Sequence, residues 1–138
     1  MGAARKADVV KAMKAMDICF MVTKDGDGLC SRPMSNNAQV DWDGDNWFFT
    51  HGDTRKVGQL EIDPTVMLDF SGERDWVSLR GTAQLHRDDR ELFEEHWSQD
   101  IDRWFPEGID TPGLVLIQVT AEEAELFGAA GEGVVALD

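Results

Sequence analysis

Apolar and polar residues alternate over much of this sequence, which is the pattern of β-strands that bury one face. In the clearest case, the segment 77–86, polar residues alternate with an inward-facing set: Val77, Leu79, Gly81, Ala83 and Leu85. The same pattern predicts further strands at 18–23, from about 30 to 40, at 47–51 and at 65–71. The continuous apolar run LVLIQV (114–119) predicts a central strand that is buried on both faces.

Helices are predicted between these strands in four places: residues 5–16, a segment ending at Asp63-Pro64, residues 88–97 and the short stretch 120–123. The first has apolar residues on one stripe, as in an amphipathic helix. Asp88 is the expected N-cap of the third. Thr120 and Glu123 fit a capping box, which predicts a short helical turn before Leu126.

Two turns rich in Asp and Gly, at 25–28 and 43–46, predict hairpins, the second of which would pair residues 31–41 with residues 46–51. Six short strands, mostly antiparallel, predict a mainly β fold: a closed or partly closed barrel with short helices on its outside. Because the sequence has 138 residues and contains no linker or repeat, residues 1–138 are expected to form a single domain.

The composition is strongly acidic, with 27 Asp and Glu residues against 13 Lys and Arg residues and a formal net charge of -14. Such a surface lacks the basic stripe that nucleic acids require and disfavours anionic membranes. No apolar run is long enough to span a bilayer, and the first 17 residues have no continuous apolar core of a secretory signal. Cys19 and Cys30 make no disulfide framework and are expected to be reduced barrel residues. We therefore expect a cytoplasmic protein that binds neither nucleic acid nor membranes.

A metal site is not expected. The acidic turn at 25–28 would need an acidic ligand where Asn36 stands, and the acidic turn at 41–45 would need a glutamate where Gly52 stands. The three histidines have no metal-ligand spacing.

Two cations interrupt this acidic sequence where a predicted strand gives way to the second predicted helix. Arg55 and Lys56 lie at the start of that helix, where the helix dipole disfavours positive charge. A bound anion would explain them, because backbone N–H groups and cationic side chains together hold phosphate at helix N-termini. Arg32, brought alongside by the second hairpin, and the hydroxyl of Thr50 or Thr54 would complete a cradle for a dianionic phosphate. The alternative is that Arg32 pairs with a surface carboxylate.

Four segments in order resemble the pyridoxamine 5′-phosphate oxidase-related flavoproteins, and within them the general stress protein 26-like branch: SRPM (31–34), WFFTHGDTRKVGQL (47–60), VSLRGTAQL (77–85) and DRWFPEGIDTPGLVLIQVTAEEAELF (102–127). The resemblance covers the chain from about residue 7 to residue 127. It implies a split β-barrel that forms a homodimer, with two FMN molecules in the grooves between the subunits.

The residues that the resemblance implies contact FMN fall into four groups: Arg32, Arg55 and Lys56 at the phosphate, Pro33 and Met34 along the flavin, Phe49 and Thr50 at the ribityl chain and ring, and Trp104 at the rim. Trp104 would come from the partner subunit, and a place in the core is the alternative for it.

The sequence also departs from the pyridoxamine phosphate oxidases proper. Those enzymes have an Arg-x-His pattern in a longer C-terminal segment, whereas this sequence ends GAAGEGVVALD. Trp76 stands where they carry a flavin-contacting Gln, and Phe127 stands where the stress-protein branch usually has Trp. Vitamin B6 oxidation is therefore not expected, and the far rim of the flavin pocket is left unassigned.

We expect an FMN-dependent oxidoreductase of unknown substrate, in which the cofactor carries the electrons and the protein fixes the ring. No catalytic residue is assigned, although His51 is the titratable side chain nearest to the predicted cradle. Two alternatives from other classes stay open. One is a non-catalytic flavin-binding stress protein that stores or senses the cofactor, and the other is a split barrel that uses deazaflavin F420 or no cofactor at all.

Overall fold

The computed structural model describes residues 4–14, 16–35, 42–129 and 131–137. Its elements, in chain order, are α1 (Lys6–Met13), β1 (Ile18–Asp25), β2 (Gly28–Ser35), β3 (Asp45–His51), α2 (Arg55–Ile62), β4 (Thr65–Ser71), β5 (Asp75–Arg87), α3 (Arg90–His96), α4 (Gln99–Asp102), a 3-10 turn (Gly108–Asp110), β6 (Leu114–Gly128) and β7 (Gly133–Ala136).

All the described strands belong to one antiparallel sheet, in the order β2-β1-β4-β5-β6-β3, with β7 also pairing with β6. Along one edge of β6, β3 pairs with residues 114–120 and β7 with residues 123–126, while β5 occupies the other edge. The predicted mainly β fold with antiparallel strands and short helices is confirmed.

The run LVLIQV lies in β6, an interior strand between β5 and the end strand β3, and it is buried on both faces as its composition predicts. Val115, Leu116 and Ile117 are at most 1% exposed, because β6 has a strand on each side and packing on both faces. The larger core lies on one face and includes Phe48, and a second cluster lies on the other face and includes Phe49. Strand β3 is therefore anchored on both faces, which fixes the side chains at its end.

The predicted helical turn at 120–123 is wrong, because β6 continues as a strand to Gly128. The long ladder with β5 supplies the backbone hydrogen bonds that a helical turn would have used, and these tertiary bonds outweigh a local capping pattern. A register shift between Arg80 and Gly81 keeps the small residues Ala121 and Ala124 on the buried face.

Two further predictions need correction. The N-cap of α3 is Asp89, whose carboxylate accepts from the Leu92 amide at 3.1 Å, while Asp88 has a left-handed φ of 55°. The predicted hairpin between 31–41 and 46–51 falls partly outside the described residues, since 36–41 are not among them. Within the described part of the chain, β2 pairs with β1 and β3 pairs with β6, so no ladder joins β2 to β3.

Gly81 gives a test of this register. A Cβ at this position would overlap the carbonyl oxygen of Thr120, so Gly81→Ala is expected to lower the free energy of unfolding by roughly 1–3 kcal/mol. Gly58, exposed in the middle of α2, has no atom within 4 Å of an added Cβ, and Gly58→Ala should raise the same quantity by roughly 0.5–1 kcal/mol. Urea unfolding of both variants checks the prediction, and equal effects would contradict the close approach of β5 and β6.

Candidate functional site

A cavity of about 260 Å³ lies where the two end strands of the sheet, β2 and β3, approach each other without pairing. Its lining comes from β2, β3, α2 and the segment that begins at α4: Pro33, Met34, Ser35, Phe48, Phe49, Thr50, His51, Lys56, Ile101, Trp104 and Phe105. Most of this lining is apolar. The chain thus brings distant sequence segments to one concave surface, which is the usual setting of a small-molecule site.

Among the described residues, Arg32 is held beside this cavity by uncharged acceptors only. Its Nη1 donates to the carbonyl oxygen of Met21 at 3.1 Å, to Thr23 Oγ1 at 2.7 Å and to the carbonyl oxygen of Cys30 at 3.3 Å. Its Nη2 donates to Gln59 Oε1 at 3.0 Å. No ion pair found within the described residues includes Arg32. The predicted alternative, a surface pair with a carboxylate, is therefore not what these residues show.

Lys56, like Arg32, has no carboxylate partner in the described part of the chain. Its Nζ donates to Thr50 Oγ1 at 3.0 Å, and the side chain lines the cavity. Burial lowers the pKa of Lys56, and the nearby charge of Arg32 lowers it further. Burial is also the main cause that lowers the pKa of Arg32. Both groups would gain from a neighbouring anion, because it would stabilise their charged forms.

Arg55 behaves differently. Its side chain is 78% exposed, and its Nη2 lies 3.5 Å from Asp25 Oδ2 and 3.6 Å from Cys30 Sγ. Such an exposed ion pair is weak, so Arg55 can exchange partners at little cost. The N-cap of α2, Thr54, makes no side-chain capping bond, and its hydroxyl donates to the carbonyl oxygen of His51 at 2.9 Å. The first turn of α2 therefore carries two cations, no acidic residue and no side-chain cap.

The structure brings most of the predicted contact residues to this one place. Six of the eight line the cavity: Pro33, Met34, Phe49, Thr50, Lys56 and Trp104. Arg32 and Arg55 lie next to it, on β2 and at the start of α2. The alternative that Trp104 is a core residue is wrong, because its side chain is 57% exposed at the rim, with the Arg103 guanidinium 5.8 Å from its ring.

Comparison with known proteins identifies the family. A family model described as "Pyridoxamine 5'-phosphate oxidase like" matches residues 4–137, which is nearly the whole chain. The chain belongs to the pyridoxamine 5′-phosphate oxidase-like family. The family resemblance seen in the sequence is thus confirmed.

Relatives of this oxidase-like chain include General stress protein 26 of Bacillus subtilis (strain 168), which is 31% identical over 94 residues. That match covers 64% of this chain and 66% of the relative, just under two thirds of its length. A protein from Clostridium acetobutylicum related to general stress protein 26 has a TM-score of 0.82 at 21% identity, covering 96% of this chain and 94% of its own. A protein from Nostoc punctiforme PCC 73102 is described as pyridoxamine 5′-phosphate oxidase-related and FMN binding. It has a TM-score of 0.72 at 13% identity, and the match covers 97% of this chain and 90% of that protein.

Sequence reasoning missed two polar residues beside this cavity. Thr23 is 1% exposed and Gln59 is 8% exposed, and both contact Arg32. A signal for each is present in the sequence. Thr23 is a polar residue in the inward phase of β1, and Gln59 lies three and four residues after the two cations of α2, on the same side of the helix.

The cysteines and the acidic turns add no further reactive group or metal site to the cavity among the described residues. Both cysteines are free, and burial, with a smaller contribution from Asp69, raises the pKa of Cys19 to about 12. Over the described ranges, no group of three or more His, Cys, Asp or Glu side chains is placed to hold a metal ion. None of the helices within those ranges is long and apolar enough to cross a membrane.

Aromatic contacts join α3 and the cavity wall to β3. The ring of His96 stacks on Trp47 with 3.7 Å between centroids. The next residue, Trp97, packs edge-on against Phe49 at 4.8 Å and lies 5.9 Å from Phe105. The wall that carries Phe105 is therefore tied to the same strand that supplies Phe49 to the cavity.

His96 makes this wall sensitive to pH. Its pKa lies below its ordinary value because burial, the largest cause, disfavours the charged ring, although nearby carboxylates oppose the shift. The unfolded chain therefore binds a proton at this position more readily, so stability falls as the pH drops through about 6.5 and below. We expect the wild type to lose more unfolding free energy than His96→Gln between about pH 7.5 and pH 5.5 in urea titrations. Parallel pH profiles for the two proteins would contradict this role of His96.

Proposed function

We propose that the protein binds FMN in the cavity between β2 and β3 and works as a flavin-dependent oxidoreductase. The observation that carries the proposal is that Arg32 and Lys56, in a protein with a net charge of -14, are contacted only by neutral acceptors among the described residues. Their positive charges are held in place without being neutralised. A dianionic phosphate beside them would supply the missing counter-charge.

The lining of the cavity suits the rest of an FMN molecule. Pro33, Met34 and Phe49 offer apolar surface for a flat aromatic ring, and Thr50 offers a hydroxyl on the way to the cations. Arg32 and Lys56 would hold the phosphate, with Arg55 released from its weak pair with Asp25. The description of the Nostoc relative as FMN binding supports this choice of cofactor.

When bound, a flavin supplies hydride and electron transfer, and the protein binds, orients and shields it. Phe105 and Ile101 would keep water from one side of the cavity, since both are at most 5% exposed. His51 and Lys56 are the titratable side chains of the described lining. Any proton that this chain supplies to a substrate there would have to come from one of these two groups or from water.

We also propose that the protein is a homodimer and that the partner subunit completes the site. The cavity of one chain, about 260 Å³, is smaller than the roughly 300–1,000 Å³ typical of small-molecule sites. The outer face of the sheet exposes large apolar side chains: Ile18, Phe20, Met67, Trp76 and Phe127 are 36% to 50% exposed. They spread over β1, β4, β5 and β6, and Trp76 lies directly opposite Phe127. An apolar surface that crosses four strands supports the proposal of a subunit interface on this face.

The absorbance spectrum of the purified protein tests the proposed function. Flavin absorbance at one FMN per chain, bleached by NADH or NADPH without oxygen, is the expected result for an oxidoreductase. Bound FMN that no nicotinamide reduces would favour the flavin-storing or flavin-sensing alternative. A colourless protein that ignores added FMN but binds F420 would contradict the proposal. Pyridoxine 5′-phosphate is not expected to be oxidised, because Trp76 replaces the Gln that the resemblance implies for the true oxidases.

A further inference from the structure

A buried pair of neutral side chains lies directly behind Arg32. Thr23 and Gln59 are both buried, and Thr23 Oγ1 donates to Gln59 Oε1 at 2.6 Å. Arg32 donates to both of them, at 2.7 Å and 3.0 Å. The amide nitrogen of Gln59 in turn lies 3.5 Å from Cys30 Sγ. Both ends of the Gln59 amide are therefore used, and the guanidinium is held on its inner side.

The important property of Thr23 and Gln59 is that neither side chain is charged. A glutamate has the same shape as a glutamine, and the chain contains 27 acidic residues. A carboxylate at position 59 would accept from Arg32 as well as the amide does, and more strongly. It would also cancel the charge of Arg32. The amide thus fixes the position of the guanidinium and leaves its charge free to act on a ligand.

We propose that Thr23 and Gln59 are positioning residues that make the site selective for the dianionic phosphate of its ligand. They orient Arg32 through neutral hydrogen bonds, so that the net positive charge beside Lys56 is preserved. This inference rests on the proposed function. Thr23 and Gln59 do not line the cavity. They would nevertheless determine its selectivity for FMN over riboflavin, which has the same ring and no phosphate.

The test is Gln59→Glu, with Gln84→Glu as the matched control. Gln84 is exposed on β5, so the control makes the same change of charge away from the site. Titration of flavin fluorescence measures affinity for FMN and for riboflavin. Gln59→Glu is expected to weaken FMN binding roughly tenfold to a hundredfold, because the added carboxylate cancels the charge that Arg32 offers the phosphate. Riboflavin affinity should be unchanged, and Gln84→Glu should bind both flavins as the wild type does.

Urea unfolding shows whether Gln59→Glu is folded, and Thr23 provides a second, independent variant. Thr23→Val removes one acceptor of Arg32 without adding charge, and it should lower the FMN-to-riboflavin affinity ratio several-fold. Thr23→Ser keeps the hydroxyl and should restore the ratio. A purely structural role would instead lower the affinity for both flavins together.

Two failures are distinguishable. If the wild type does not bind FMN, the proposed function is wrong. If the wild type binds FMN and prefers it to riboflavin, but folded Gln59→Glu and Thr23→Val keep the same preference, only the role of Thr23 and Gln59 is overturned.

Discussion

Replacing Arg55 and Lys56 together with alanine is expected to weaken FMN binding about a hundredfold or more. A hydrogen bond to a charged group contributes roughly 1.5–3 kcal/mol, and about 1.4 kcal/mol corresponds to tenfold in affinity. Lys56 should account for most of the loss, because it lines the cavity, whereas Arg55 is 78% exposed and partly screened. Titration of flavin fluorescence measures the FMN affinity of the wild type and of the double variant.

Riboflavin and a second double variant are the controls for this result. Riboflavin lacks the phosphate, so its affinity should change far less. Arg87→Ala/Arg90→Ala removes two cations from exposed ion pairs with Glu61 and Asp110, outside the cavity lining. It should leave FMN binding close to that of the wild type. FMN affinity that survives the loss of Arg55 and Lys56 would mean that these two cations do not face a phosphate.

The second large effect concerns assembly. Phe20→Glu/Trp76→Glu is expected to convert a homodimer into a monomer at micromolar concentration. The two side chains are about half exposed on the proposed interface, at 50% and 48%, and a charge buried there without a partner is strongly unfavourable. Because each substitution occurs in both subunits, we expect the dimer dissociation constant to rise on the order of a thousandfold or more. Light scattering measures the mass of the protein in solution. The FMN affinity of the monomeric variant should also be lower, because the partner subunit completes the proposed site.

Ile62→Glu is the matched control, since Ile62 is 88% exposed on α2 and does not lie on the sheet face. That variant should remain dimeric. A wild-type protein that is monomeric at the same concentration and still binds FMN fully would contradict the placement of the site between subunits.

Much of the fold was predictable because burial follows strict alternation in this chain. Val77, Leu79 and Ala83 are buried in β5 as the pattern predicts, and a continuous apolar run marked the central strand. The stretch 120–123 was not predictable in the same way. Its local capping pattern competes with pairing to β5, a strand some 40 residues earlier, and only the assembled sheet shows which one is realised.

The site was predictable to a smaller extent. The excess of acidic residues made Arg32, Arg55 and Lys56 conspicuous, and the resemblance to a flavoprotein family supplied a reason for them. The sequence did not reveal that Arg55 pairs with Asp25 while Arg32 is held by neutral groups. Those partners depend on how the β1–β2 turn and α2 approach one another, which is a matter of tertiary packing.

Two partly buried cations, Arg32 and Lys56, held only by neutral partners within the described structure, are proposed to form a site for the phosphate of a flavin. Calorimetric titration of the wild-type apoprotein with FMN and with riboflavin tests this claim most directly. FMN is expected to bind at one molecule per chain and about a hundredfold more tightly than riboflavin, since its phosphate adds at least two charged contacts. Equal affinities for FMN and riboflavin would contradict the claim.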